Sequence, residues 1–240
     1  MNSGGMAFSR NSGCRYVAVD WQHGAALVVA LLMLTVVMTM GISAANIALH
    51  SEKAARNDRD RQIAFQAAEA ALVDAEQDIQ GSPDVKTTRS GLFDGRRTEE
   101  FVKACGMGHQ NRYLGLCAGD DRAGPAWRRV DFMDSGAQVR SVPYGRFTGQ
   151  DFQTGEGSQP ARLPRYIIEW IPAPDVARAT NDTDAIGLYR ITAVGFGVRD
   201  TTQVALQAYY RKNIGQHKES GRLAWREIEN WEELHDESAR

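Results

Sequence analysis

Two cysteines and a histidine lie close together in the sequence and are of the residue types that bind a metal ion. Cys105, His109 and Cys117 are arranged as Cys-x3-His-x7-Cys. A closed structural zinc site needs four ligands, and this segment has three, without a second half that resembles Cys-x-x-Cys. The same two cysteines could form a disulfide if the domain lies in an oxidising compartment. The residues alone leave both interpretations open.

The other residues that could take part in chemistry do not favour an enzyme. The run Asn181–Asp184 is rich in oxygen ligands for calcium, but it lacks the spacing and the downstream glutamate of an EF-hand, so a solvated turn is favoured. The sequence has no Gly-x-Ser-x-Gly, no His-Glu-x-x-His and no P-loop. The formal net charge of -2 gives no sign of nucleic-acid binding. We therefore predict no enzyme activity, no cofactor, no metal ion and no small-molecule substrate.

An apolar segment near the N-terminus is the main feature of the composition. No charged residue lies between Gly24 and Leu49, although the whole chain is 24% charged. A helix of this length spans about 39 Å, which is enough to cross a hydrocarbon core of about 30 Å. The alternatives are a buried helix of a soluble domain and a secretory signal peptide cleaved near Ser43-Ala44-Ala45, whose apolar region would normally be shorter. We predict a transmembrane segment over residues 25–49.

The predicted helix continues beyond the apolar segment. Residues 46–80 contain neither proline nor glycine, and the Gly-Ser-Pro that follows supplies a stop. One apolar stripe runs along the helix with spacings of 3, 4, 3 and 4, formed by Phe65, Ala68, Leu72, Ala75 and Ile79. Asp74 and Asp78 are expected to lie largely off this stripe. We predict an amphipathic half over residues 50–80, either continuous with the transmembrane half or joined to it at Gly41.

Beyond the helix, a loop-rich region precedes a strand-rich one. Residues 81–163 hold more than half of the 23 glycines, and they predict no particular fold. Apolar and polar residues alternate over 165–171, 188–198 and 203–211. This pattern predicts three strands of one antiparallel sheet within residues 164–212.

Details of the strand-rich region indicate the fold class. Residues 199–202 connect the second and third runs, so these runs should form a hairpin. Gly195 and Gly197 within the second run indicate a bulge or close packing, because one Gly-x-Gly without a following helix is no dinucleotide signal. With the helix stripe against one face of the sheet, the sequence predicts a two-layer α+β domain. Residues 213–240 form a C-terminal tail, whose tryptophans either pack on the domain or bind a partner.

The chain reads QHGAALVVALL over residues 22–32 and RDRQIAFQAAEAAL over residues 59–72. These two stretches resemble the PilX-type minor pilins of the type IV pilin and pseudopilin superfamily. The resemblance implies cleavage by prepilin peptidase after Gly24, removing residues 1–24 as a leader, and N-methylation of the new terminus at Ala25. It also implies a single pass through the inner membrane, with a cytoplasmic N-terminus and a periplasmic C-terminus, followed by incorporation into a pilus fibre or its tip.

One position departs from the usual pattern of pilins. Most pilins have a glutamate five residues into the mature chain, which in the family neutralises the terminal ammonium of a neighbouring subunit, and this sequence has Val29 there. PilX-type proteins and the K-type pseudopilin of type II secretion share this feature. The resemblance therefore implies a low-copy minor pilin that primes assembly at or near the pilus tip and supports twitching motility and adhesion. The implied partners are other minor pilins, the major pilin, a tip adhesin, prepilin peptidase and the assembly platform of the inner membrane.

The periplasmic location implied by this resemblance favours a disulfide between Cys105 and Cys117 over a metal site. Cys14 would stay in the reducing cytoplasm and be removed with the leader, which starts at either Met1 or Met6. Two other functions stay open on the sequence alone. One is a single-pass, signal-anchored periplasmic domain that binds or senses a ligand, and the other is a K-type pseudopilin of type II secretion.

Overall fold

The computed structural model describes residues 23–81, 88–94, 98–119, 124–172, 186–213, 220–231 and 233–235. Most of the predicted leader and the run Asn181–Asp184 lie outside these residues. The chain divides into two compact units, Met1–Lys53 and Ala54–Arg240. The first unit contains the apolar part of a long helix. The second is a folded domain that begins with the rest of that helix.

The long helix, α1, extends over His23–Gln80, in agreement with the helix predicted for residues 25–80. It ends at the predicted glycine. Gly81 has a φ of 82°, which other residues rarely adopt, and its N–H donates to the Gln77 carbonyl at 2.7 Å. Lys212 Nζ donates to the carbonyl of Ile79 at 2.5 Å. These two donors satisfy carbonyl groups that a helix end otherwise leaves without partners.

A sheet forms the centre of the domain. Within the described residues it has six strands: β1 Leu116–Ala118, β2 Val142–Pro143, β3 Arg165–Trp170, β4 Ile186–Phe196, β5 Gln203–Asn213 and β6 Gly221–Glu227. The order is β1-β3-β4-β5-β6, and β2 also pairs with β3. β3, β4 and β5 are the predicted strands, and their antiparallel pairing is confirmed. β1 runs parallel to β3, so the sheet is mixed and not wholly antiparallel.

Three strands come from segments in which the sequence predicts none. β1 and β2 lie in the glycine-rich region, and β6 lies in the C-terminal tail. β1 and β2 have only three and two residues, which is too short to show an alternating pattern. The register of β6 against β5 shifts between Tyr209 and Tyr210. This irregularity interrupts the alternation of inward and outward side chains along β6.

Both faces of the sheet are covered. On one face the buried residues of α1 are Ala64, Ala68, Ala71, Leu72, Ala75 and Ile79, with Phe65 half-buried beside them. The other face carries a second apolar cluster, which includes Trp127, Phe132, Ile167, Val194, Phe196, Ala205, Ile228 and Trp231. The predicted packing of the helix on the sheet is confirmed, and the second cluster adds a layer that the sequence does not predict. The tail tryptophans differ, because Trp231 is 5% exposed and Trp225 on β6 is 49% exposed.

Helix α1 and strand β4 approach each other more closely than side chains would allow. A Cβ atom on Gly195 would lie 2.1 Å from the carbonyl oxygen of Ala64 and 2.3 Å from the backbone nitrogen of Ala68. A Cβ atom on Gly197 would lie 2.3 Å from Oδ1 of Asp60. Both glycines therefore serve close packing, because only a hydrogen in place of a side chain lets the strand contact the helix backbone.

Candidate functional site

A largely apolar surface without charged side chains surrounds α1 between Ala25 and Leu49. Its large side chains are each at least half exposed: Leu27, Val28, Val29, Leu31, Leu32, Met33, Leu34, Val36, Val37, Met38, Met40, Ile42, Ile47 and Leu49. An apolar surface of this extent is not stable in water, so lipid or other helices must cover it. The helix is long and apolar enough to cross a membrane.

Three hydroxyl side chains of this segment are satisfied within the helix. Thr35 Oγ1 donates to the Leu32 carbonyl at 2.7 Å, and Thr39 Oγ1 donates to the Val36 carbonyl at 2.8 Å. Ser43 Oγ donates to the Thr39 carbonyl at 2.9 Å. A hydroxyl without a partner would cost free energy in hydrocarbon, and each of these has one. The segment is therefore suited to surroundings without water.

The residues predicted to take part in processing lie in the first turns of α1. Gly24 and Ala25 follow His23, with which the described part of the helix begins, and Ala25 is exposed. Val29 is 52% exposed. No carboxylate occurs between Ala25 and Leu49 that could replace the glutamate usual in pilins. This part of the helix consequently offers a partner apolar contacts and no charge.

Asp60, the first buried side chain along the described helix, joins α1 to the sheet. Its carboxylate accepts hydrogen bonds from Val198 N–H at 2.5 Å, Thr202 Oγ1 at 2.6 Å and Arg199 Nε at 3.1 Å. All three donors lie in the connection from β4 to β5. Burial raises the pKa of Asp60, but these hydrogen bonds outweigh burial and hold the pKa below its usual value. The ionised carboxylate therefore ties the hairpin to the helix.

A buried ion pair fixes the C-terminal end of the helix. Arg89 Nη2 lies 2.7 Å from Oδ2 of Asp78, and neither side chain is more than 1% exposed. Tyr166 OH on β3 donates to the same carboxylate at 2.9 Å, and Arg89 Nη1 donates to the Leu114 carbonyl at 2.6 Å. The Arg89 guanidinium also lies over the ring of Phe147, 3.7 Å from its centroid. Because its charged groups have partners, the pair can stay buried while it links the helix, β3 and the surrounding loops.

Asp74 is a further buried carboxylate on this helix. Gly145 N–H donates to its Oδ2 at 2.8 Å, and the Thr148 hydroxyl donates to its Oδ1. Burial, together with the nearby charge of Asp78, raises the pKa of Asp74 to about 6 against the opposing effect of these two hydrogen bonds. Asp74 and Asp78 do not belong to the predicted apolar stripe, and yet both residues are buried. The loops that supply their hydrogen-bond donors cover this side of the helix.

Asp74 is expected to make the domain less stable as the pH rises. The pKa of this carboxyl is about 6 in the folded chain, against an ordinary value of 3.8, so the folded state binds the proton more tightly. The tighter binding of this proton stabilises the folded state fully below about pH 4, and this stabilisation is lost as the pH rises through about 6. The free energy of unfolding should fall by about 3 kcal/mol over this range. Asp74→Asn should remove this loss, as measured by urea unfolding across that range.

A matched control for this experiment is Glu69→Gln, because Glu69 is exposed on the same helix. It should keep the pH dependence of the wild-type chain. An unchanged slope in Asp74→Asn would show that the protonation of Asp74 is not linked to folding.

Cys105 and Cys117 are joined by a disulfide, with their sulfur atoms 2.08 Å apart. The bond ties the turn at Cys105 to β1, which lies at one end of the strand order. The alternative metal site is not assembled, because both sulfur atoms bond to each other and Nε2 of His109 lies 3.1 Å from the Ser135 carbonyl oxygen. In the described part of the chain, no group of three histidine, cysteine, aspartate or glutamate side chains could hold a metal ion.

Two family models match the chain. The model for the PilX N-terminal region matches residues 23–73, and the model for the C-terminal region of the type IV pilus assembly protein PilX matches residues 102–212. The chain belongs to the PilX family. No curated protein and no solved structure matches it significantly.

The PilX matches assign the parts of the structure to one function, that of a minor pilin in type IV pilus assembly. The N-terminal match contains the apolar surface of α1 and most of the helix that packs on the sheet. The C-terminal match contains the disulfide and strands β1 to β4, and it ends within β5. Strand β6 and Trp231 lie outside both matches. The apolar part of α1 is long and apolar enough for a membrane anchor.

The apolar stripe does not predict the buried acids of α1, which link the helix to the sheet and the loops. A second row with spacings of 4, 3, 4, 3 and 4 holds all of them: Asp60, Ala64, Ala67, Ala71, Asp74 and Asp78. All six side chains of this row are buried. The signal that could have found the acids is the helical spacing itself, which places them in line with the alanines.

Proposed function

We propose that this minor pilin is a low-copy subunit that primes assembly at or near the pilus tip. The observation that carries the proposal is Val29, in an apolar helix that has no carboxylate between Ala25 and Leu49. Cleavage after Gly24 would leave an ammonium group on Ala25. A subunit inside the fibre needs a carboxylate to pair with the ammonium of its neighbour, because an unpaired charge in an apolar core is costly.

A subunit at the start of the fibre has no need of that carboxylate. No earlier subunit lies above it, so no ammonium group has to be neutralised. Valine also avoids the cost of placing a lone carboxylate in the membrane before assembly, which is about 2.5–3.5 kcal/mol on insertion scales. Val29 therefore suits the first position and disfavours the interior ones.

The size of the domain supports the same position. The unit Ala54–Arg240 adds a second apolar cluster and a disulfide-linked edge to the sheet that packs on α1. A repeating fibre subunit must fit its domain beside its neighbours at every step along the fibre. A subunit at the end of the fibre has neighbours on one side alone, so a larger domain can be accommodated there.

The same proposal covers processing, location and partners. The precursor is cleaved after Gly24 by prepilin peptidase, and Ala25 is N-methylated. Before assembly the chain crosses the inner membrane once, with a cytoplasmic N-terminus and a periplasmic C-terminus. It then joins other minor pilins, the major pilin and a tip adhesin through the assembly platform, and it supports twitching motility and adhesion. Exposed apolar residues over 25–49 support this assembly, since they need helices or lipid around them.

A K-type pseudopilin of type II secretion is the second candidate, because it also lacks the glutamate. The PilX match favours the pilus, since the matched family is one of type IV pilus assembly. The same match disfavours a signal-anchored binding or sensor domain.

Deleting the protein is expected to reduce the number of surface pili, and with them twitching motility, without a change in fibre diameter. A priming subunit sets how many fibres begin, whereas the repeating pilin sets their diameter. Electron microscopy would count and measure the fibres, with the wild-type chain restored in the control strain. Normal numbers of pili in the deletion strain would contradict the priming role.

A further inference from the structure

Strand β6 lies at one edge of the sheet and carries exposed apolar side chains. Within the described residues it pairs with β5 alone. Leu223 is 52% exposed and Trp225 is 49% exposed. Natural proteins usually protect such an edge with charges, prolines or a covering loop, because its outward backbone groups can pair with another chain. The edge formed by β6, which lies outside both PilX matches, is therefore a candidate site for pairing with a further strand.

The hydrogen bonds to β5 show which backbone groups of β6 face outward. Ile228, directly after the strand, donates its N–H to the Ala205 carbonyl at 2.9 Å. Residues of an antiparallel pair face their neighbour alternately, so Arg226 also faces β5, and the N–H and carbonyl groups of Trp225 and Glu227 face away from it. The register is regular over residues 224–227. An added strand would find donors and acceptors there at the usual spacing.

Contacts with α1 hold this edge in place. Arg61 Nη2 lies 2.5 Å from Oε1 of Glu227, and Arg222 Nε lies 2.6 Å from Oε1 of Glu76. Trp225, which lies between the two ion pairs along the strand, meets a phenylalanine ring of α1 edge-on, with the ring centroids 6.2 Å apart. An edge that is already ordered loses less free energy when a partner binds.

Arg226 gives the edge a preference for an acidic partner. Its side chain is exposed, and its guanidinium contacts the neutral amide of Gln207, with Nη2 3.1 Å from Oε1. It forms no ion pair with any residue of the described chain. A second copy of β6 would not supply the missing acid, because the one acid of the strand, Glu227, is already paired with Arg61. An acidic segment of a different protein fits this edge better.

We propose that β6 binds an extended segment of another protein, which adds a strand to the sheet and places an acidic side chain opposite Arg226. The outward backbone groups of Trp225 and Glu227 supply main-chain hydrogen bonds, and the alternating side chains supply specificity. On the face that meets α1, the ring of Trp225 contacts apolar side chains of the added strand. This binding does not depend on the position of the subunit in the fibre, because it concerns the folded domain alone.

Two labelled peptides of nine residues, added to the full-length chain in detergent micelles, test the pairing. The acidic probe alternates threonine and valine with a glutamate at its centre, and the control peptide has a lysine there. Fluorescence anisotropy, with empty micelles as background, should show that the acidic probe binds about threefold or more tightly, because opposite charges attract across strands and like charges repel. No binding of the acidic probe, equal binding of both peptides, or occupation of the edge by a second copy of the chain would overturn the proposal.

Variants locate the peptide on β6. Arg226→Glu should reverse the preference, so that the lysine peptide binds more tightly. Trp225→Pro should abolish binding because it removes an outward N–H group, whereas Trp225→Ala keeps this donor and should weaken binding less. The matched control is Val198→Ala, since Val198 is 40% exposed and lies outside β6.

Arg226→Glu decides the question even if the proline variant does not fold. An unchanged preference for the acidic probe in Arg226→Glu, or a wild-type affinity in a folded Trp225→Pro chain, would contradict strand addition at β6.

Discussion

Gly195→Ala is expected to destabilise the domain by about 3 kcal/mol or more, because the added methyl group has no space. Its Cβ would lie 2.1 Å from the carbonyl oxygen of Ala64 and 2.3 Å from the nitrogen of Ala68. Both are backbone atoms of α1, so no side chain can rotate away. The helix would have to move off β4, and it would lose contacts along the whole interface. Urea unfolding followed by tryptophan fluorescence measures the loss.

Gly221→Ala is the matched control for this change. Gly221 also lies in a strand, β6, but a Cβ atom there would meet nothing within 4 Å. Its free energy of unfolding should stay within about 0.5 kcal/mol of the wild-type value. If both variants unfold alike, α1 does not contact β4 as closely as described.

Gly24→Val is expected to block processing completely. The branched side chain would replace the smallest residue at the proposed cleavage position, next to the apolar run that begins at Ala25. The protein should then accumulate in the membrane as a precursor that is heavier by residues 1–24, and it should be absent from sheared pili. Intact-mass measurement of the membrane-extracted chain distinguishes precursor from mature protein.

The control for the processing experiment is Gly41→Ala, because Gly41 lies within α1 and has open space around it. This variant should be processed like the wild-type chain. The same intact mass in Gly24→Val and wild type would contradict cleavage after Gly24, and a chain that begins at Met1 or Met6 would indicate an uncleaved anchor.

The helix and the three central strands could be predicted because their patterns are local. The absence of charge between Gly24 and Leu49 predicts the apolar segment, and the stripe through Leu72 and Ile79 predicts the face that meets the sheet. β3, β4 and β5 alternate over six or more residues, so their pattern is visible in the sequence.

The partners of the buried acids could not be predicted from a local pattern, although the helical spacing places the acids in line with buried alanines. Whether Asp78 is buried depends on Arg89 and Tyr166, which are eleven and 88 residues away in sequence and supply its partners in space. An acid with no partner would be excluded from the core, so sequence hydropathy places it in water. The second cluster could not be predicted for a similar reason, since Trp127 and Trp231 come from distant segments and pack with their ring centroids 5.4 Å apart.

Quantitative mass spectrometry of sheared pili tests the tip position of this minor pilin most directly. The ratio of its peptides to those of the major pilin gives the number of copies per fibre once the fibre length is known. A subunit that starts the fibre should be present as a trace that stays constant per fibre and does not grow with fibre length. A content that rises in proportion to length, or that rivals the major pilin, would contradict the tip position and would place Val29 inside the fibre core.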